Sequence, residues 1–107
     1  MAASKHAIVQ EAQRQLDSYF SAQWEKSYVQ LAPLVEESIG SSTDILGKEY
    51  HLSCWAQSHE DGSLGVIAEA RRFRFLGWSQ VHARGFFAFQ DGRKVEMVKE
   101  DLWSHGY

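Results

Sequence analysis

The sequence predicts an α+β fold, helix first and sheet second, and three observations predict it. In the first third Ile8, Ala12, Leu16, Tyr19, Phe20, Trp24, Tyr28 and Leu31 recur at steps of three and four, the period of one helix face. From Tyr50 onward, aromatic and β-branched residues alternate with polar ones at period two. Two x-Asp-Gly turns, Glu60-Asp61-Gly62 and Gln90-Asp91-Gly92, then divide that second part into hairpins.

The helix opens at Ser4, whose hydroxyl suits an N-cap. It is expected to stop at Pro33, which lacks an amide hydrogen and pushes Ala32 away from helical angles. Running unbroken from Ser4 to Leu31 it would be about 42 Å long at 1.5 Å per residue, more than a small domain spans. Either it bends near Ser21–Gln23, or one end projects onto a partner, and a homodimer is one way to cover it. Pro33–Gly40 predicts a short second helix, with proline first, Glu36 and Glu37 in the opening turn, and glycine last. Ser41–Asp44 reads as a loop.

Four strands follow: Tyr50–Ser58, Leu64–Phe75, Val81–Phe89 and Lys94–Val98. Three-residue loops with Gly62 and Gly92 in the left-handed region set the hairpin registers. Ala56 then opposes Val66, Cys54 opposes Ala68 and Leu52 opposes Ala70; Phe87 opposes Val95 and Gly85 opposes Met97. Along the second strand the apolar parity changes at Arg71-Arg72, which predicts a β-bulge. Beyond it Phe73 pairs with Ala83 and Phe75 with Val81 on an inner face shared with Phe87 and Phe89. Arg72 then opposes Arg84, and Arg74 opposes His82, on a wet outer face shared with Glu49, Glu69 and Glu96. The 107 residues form one α+β domain: helical over 4–39, a four-stranded antiparallel meander over 48–99, and a C-terminal tail over 100–107. A helix followed by a curled meander resembles the cystatin and NTF2-like architectures, in topology only. In the tail, Leu102 and Trp103 are expected to cover the core, with His105 and Tyr107 frayed.

Function is bounded more by exclusion. No apolar run of about 18 residues is present, the N-terminus lacks a hydrophobic signal region, and Cys54 stands alone, so a cytoplasmic protein is expected. Net charge is −3, with three basic and six acidic residues over 1–46 and eight of each over 47–107. Only Arg71–Arg93 is locally basic, so nucleic-acid binding through the Arg71–Arg84 region ranks third. No phosphate loop, dinucleotide fingerprint, cysteine pair or nucleophile motif occurs, so no catalytic residue, cofactor or metal ligand is assigned. Cys54 is expected to be a buried structural thiol.

The expected function is a small non-enzymatic module that binds another protein, as an adaptor, inhibitor or immunity-type protein. The alternative is a small-molecule or catalytic pocket between helix and sheet. The candidate binding residues are Trp55, Arg72, Arg74, Trp78, His82, Arg84 and Trp103, chosen as exposed aromatics and as arginines suited to anions.

Overall fold

A computed structural model describes residues 4–73 and 79–107. Helix α1 (Lys5–Trp24) is followed by α2 (Tyr28–Leu31) and a 3-10 turn (Ala32–Val35). Then come β1 (Ile39–Ile45), β2 (Lys48–Ser58), β3 (Leu64–Phe73), β4 (Ser79–Ala88), β5 (Lys94–Glu96) and α3 (Lys99–Ser104). The strands form one antiparallel sheet in the order β1-β2-β3-β4-β5.

Ser4 caps α1 as expected, its Oγ accepting from the Ala7 N–H at 3.1 Å. The break falls at Glu25–Ser27, just beyond the predicted bend. Ser27 and Gln30 then cap α2 reciprocally: Gln30 N–H donates to Ser27 Oγ at 3.3 Å and Ser27 N–H to Gln30 Oε1 at 2.8 Å. This break folds the far end of the apolar stripe back onto the core, so Ile8 and Leu31 are both buried. The uncovered stripe that suggested a partner for the helix is therefore absent.

Among the described residues the sheet has five strands rather than four. The predicted helix over Pro33–Gly40 is only the 3-10 turn, and the predicted Ser41–Asp44 loop is part of β1, pairing Ser41 with Leu52 and Thr43 with Tyr50. β1 joins β2 through Leu46-Gly47, with φ of 51° and 86°. Two residues in the left-handed region match the twist of a tight hairpin.

Both Asp-Gly hairpins have the predicted registers. Gly62 and Gly92 have φ of 85° and 94°. Leu52 pairs with Ala70, Cys54 with Ala68 and Ala56 with Val66, while Phe87 pairs with Val95 and Met97 N–H donates to the Gly85 carbonyl at 2.8 Å.

The bulge is not there. β3 pairs without interruption with β2 as far as Arg71 and with β4 as far as Phe73. Phe73 opposes Ser79, Arg72 opposes Gln80 and Ala68 opposes Arg84, so the predicted Phe73–Ala83 and Arg72–Arg84 pairs are displaced by four residues. The predicted Phe75–Val81 and Arg74–His82 pairs lie outside the described residues.

The face towards α1 carries Tyr50, Leu52, Cys54, Ala56, Leu64, Val66, Ala68, Ala70, Phe86 and Ala88, all buried. Phe86, not Phe87, meets the helix: its ring centroid lies 5.6 Å from Phe20 and 5.1 Å from Trp24. The expectation of one dry and one wet face holds only in part, because the outer face is partly covered as well. The opposite face holds fully buried Ile67, with buried Met97 beside it, and α3 packs against β4. The tail also reverses expectation. His105 is 9% exposed while Trp103 is 56% exposed, and the Tyr107 hydroxyl is hydrogen-bonded to β3. No described helix is long and apolar enough to cross a membrane.

Candidate functional site

Strand alternation puts Trp55 of β2, Glu69 and Arg71 of β3 and Val81 of β4 on the face away from α1. Arg71 lies between His51 and Val81, its partners on the two neighbouring strands. The chain after α3 returns across this face and lays Tyr107 against Trp55, ring centroids 6.4 Å apart and planes 20° from parallel.

Glu69 is the hub of the polar groups here. Its Oε2 accepts from the Tyr107 hydroxyl at 2.7 Å and from Arg71 Nη2 at 3.2 Å, and its Oε1 accepts from Ser53 Oγ at 3.2 Å. Tyr107 Oη in turn accepts from Trp55 Nε1–H at 3.1 Å. Burial, reinforced by donation to Glu69, pushes the Tyr107 phenol up to about 12, so it stays protonated at neutral pH.

Trp55, Arg71, Val81, His105, Gly106 and Tyr107 line a cleft of about 480 Å³. A second hollow of about 240 Å³, lined by Ser42, Glu49, Tyr50, His51 and Arg71, adjoins it through Arg71. Together they offer two flat aromatic rings, an aliphatic wall and an arginine held by a carboxylate. That set suits recognition of a side chain with an apolar body and a polar end.

Of the predicted site residues, Trp55 lines this cleft. Arg72, His82 and Arg84 belong by register to the α1 face. Arg84 is engaged there, Nη1 with Asp17 Oδ1 at 3.0 Å and Nη2 with Glu96 Oε1 at 2.9 Å. His82 is half-buried and its pKa is lowered by that burial. Trp103 stands exposed on α3 with Lys99 Nζ 5.3 Å from its ring. Arg74 and Trp78 lie outside the described residues. The cleft residues that sequence reasoning missed are Arg71, Val81, His105, Gly106 and Tyr107. Arg71 shares parity with Trp55 and Glu69, a signal hidden by the assumed bulge. The C-terminal residues reach the site only through the tertiary fold.

Cys54 is buried on the α1 face, and burial pushes its thiol up to about 12, so it is no nucleophile at neutral pH. Among the described residues, no group of three or more His, Cys, Asp or Glu side chains is placed to hold a metal ion. Compared with protein-family models, curated proteins and solved structures, the chain matches none.

Proposed function

We propose that the protein is a non-enzymatic module that binds another protein through the outer-face cleft, as an adaptor, inhibitor or immunity-type protein does. One observation carries this reading: Trp55, Tyr107 and Arg71 line a single cleft. Trp, Tyr and Arg are the residue types that dominate binding energy at interfaces. The network through Glu69 holds their rotamers before binding, which lowers the ordering cost. The partner presents an apolar or aromatic side chain to Trp55 and Val81. A helix followed by an antiparallel meander supports a cystatin-like or NTF2-like reading of the fold, and one buried cysteine supports a cytoplasmic setting. A nucleic-acid role draws little support, because Glu69 faces Arg71 while Asp17 and Glu96 hold Arg84.

Photo-crosslinking tests this reading. A benzophenone side chain at Val81, in lysate of the source cells, is expected to capture one protein, and Trp55→Ala is expected to abolish the capture. The same probe at Glu60, on the hairpin tip, is expected to capture none. No product from position 81, or the same products from both positions, would sink the proposal.

A second reading, a small polar ligand between α1 and the sheet, draws on two buried atoms of the α1 face. Tyr50 Oη and His82 Nε2 have no hydrogen-bond partner among the described residues, and such atoms are costly unless a ligand or water meets them. A thermal-shift screen of small polar compounds should then give a hit that disappears in Tyr50→Phe. Hits insensitive to that change, or none, would remove this reading.

A further inference from the structure

Three chain segments meet on the outer face above two glycines. His59 follows β2, Met97 follows β5 and His105 follows α3. A Cβ on Gly65 would lie 2.6 Å from His105 Nε2, 2.8 Å from His59 Nε2 and 3.1 Å from Met97 Cε. The two imidazoles and the thioether methyl therefore converge on one point, and only glycine leaves that point open. A Cβ on Gly85 would sit 2.6 Å from the Met97 sulfur, so the same side chain spans both glycines.

The imidazole protons can be assigned by chemistry. His105 Nδ1 lies 2.7 Å from the Asp101 carbonyl oxygen. A carbonyl only accepts, so Nδ1 carries the hydrogen and Nε2 presents a lone pair. That lone pair faces His59 Nε2 at 3.2 Å, so His59 donates with its Nε2–H. His59 Nδ1 has no hydrogen bond among the described residues. Moving one proton from Nε2 to Nδ1 leaves His59 neutral and turns a second lone pair towards the same point.

We propose that His59, His105 and Met97 form a binding site for one cuprous ion. An ion about 2.0 Å from each imidazole nitrogen would see the 3.2 Å Nε2–Nε2 separation at a nearly tetrahedral angle. Donation of the other ring nitrogen to a backbone carbonyl, as in His105, is the usual outer-sphere support for a metal-binding histidine. Met97 is unbranched, and its sulfur is one bond from the methyl already at the site, so a rotamer change brings it into range.

The donor set selects the ion. Two neutral imidazoles and a thioether suit a soft, singly charged cation, whereas magnesium, calcium and manganese want oxygen. The neighbouring carboxylates already accept hydrogen bonds within their own turns. Asp61 Oδ1 accepts from Ser63 N–H and Oγ at 2.9 and 2.6 Å, and Asp101 Oδ2 accepts from Val98 N–H at 3.0 Å. Phe87 and Trp55 wall the imidazoles, with ring centroids 5.8 Å from His59 and 6.4 Å from His105 respectively. The large cleft reaches His105 and supplies a route in.

Anaerobic titration with Cu(I) against a chromophoric chelator tests the site. The wild-type chain is expected to withdraw one ion per molecule. His59→Gln and His105→Gln should each weaken it about a hundredfold or more, and Met97→Leu about tenfold. X-ray absorption of the loaded protein should show nitrogen scatterers and one sulfur. Circular dichroism confirms folding of each variant, and His59→Gln, at a half-buried position, still decides if His105→Gln does not fold. Failure to withdraw copper, unchanged affinity in folded His59→Gln, or a copper shell without sulfur would each overturn the proposal. So would zinc binding as tight as copper and indifferent to Met97→Leu, which would indicate a two-imidazole site for a divalent ion.

Discussion

Arg84 of β4 and Asp17 of α1 form a 3.0 Å ion pair across the helix–sheet interface. The same guanidinium reaches Glu96 of β5 at 2.9 Å and lies 4.0 Å above the centre of the Phe20 ring. One side chain thus joins α1, β4 and β5, and its planar fork serves two carboxylates at once.

Replacing Arg84 should therefore cost more than a surface charge does. The pairs are partly exposed, so each contributes about 0.2–1 kcal/mol, with about 0.5–1 kcal/mol more from the contact with Phe20. Arg84→Ala is expected to destabilise by about 1–2 kcal/mol. Arg84→Lys should recover only part of that, because an ammonium cannot fork. Urea unfolding measures both, and a loss below about 0.3 kcal/mol for alanine would mean that the bridge does not fasten the helix.

Two glycines on one hairpin separate backbone strain from packing. Gly92 has φ of 94° with nothing within 4 Å of an added Cβ, so Gly92→Ala meets only the left-handed backbone penalty, about 1 kcal/mol. At Gly85 a Cβ would lie 2.6 Å from Met97 Sδ, 2.7 Å from Ile67 Cδ1 and 2.9 Å from the Val66 carbonyl. Side chains can yield but that carbonyl cannot, so Gly85→Ala is expected to cost about 2–3 kcal/mol. Denaturant melts that rank Gly92→Ala as the worse would refute the close packing around Met97.

Cys54 should be silent in the native protein. It is fully buried, and burial pushes its thiol up to about 12. A disulfide reagent at neutral pH is expected to react only as the chain opens, then once per molecule after unfolding in urea. Prompt reaction in buffer would place the thiol outside the core.

Legibility in the sequence followed the range of the interactions. Ser4, Gly62 and Gly92 act through neighbours two or three residues away, and their roles were readable. β1 was not, because Gly40–Asp44 has no apolar alternation and is held by pairing with β2. The face of β4 was hidden by Phe86-Phe87-Ala88-Phe89, which is apolar at both parities, so only the packing of α1 decides which phenylalanine turns inward. Assuming one wet face then produced a bulge at Arg71-Arg72 and obscured Arg71. In the cleft, the strand register alone puts Trp55 on the outer face, but its partner Tyr107 lies 52 residues along the chain. No local pattern marks that contact.

The same tyrosine makes the fold sensitive to alkali. An unfolded tyrosine ionises near 10, and burial raises Tyr107 to about 12 in the folded chain. Between those values the folded state holds a proton that the unfolded state has released. Its contribution to stability is therefore complete below pH 10 and is lost as pH rises through 12. Tyr19 is pushed up to about 12 by burial in the same way, and Cys54 begins to contribute from pH 9, so three groups share the alkaline decline. Tyr107→Phe in a Cys54→Ala background isolates one of them. At neutral pH it should cost about 1 kcal/mol, since Trp55 Nε1 loses its acceptor and Glu69 a donor. Above pH 10 its unfolding free energy should fall less steeply than that of the Cys54→Ala parent, leaving the share due to Tyr19. Parallel curves for the two proteins would mean that the phenol titrates freely and that Tyr107 does not close the cleft against Trp55.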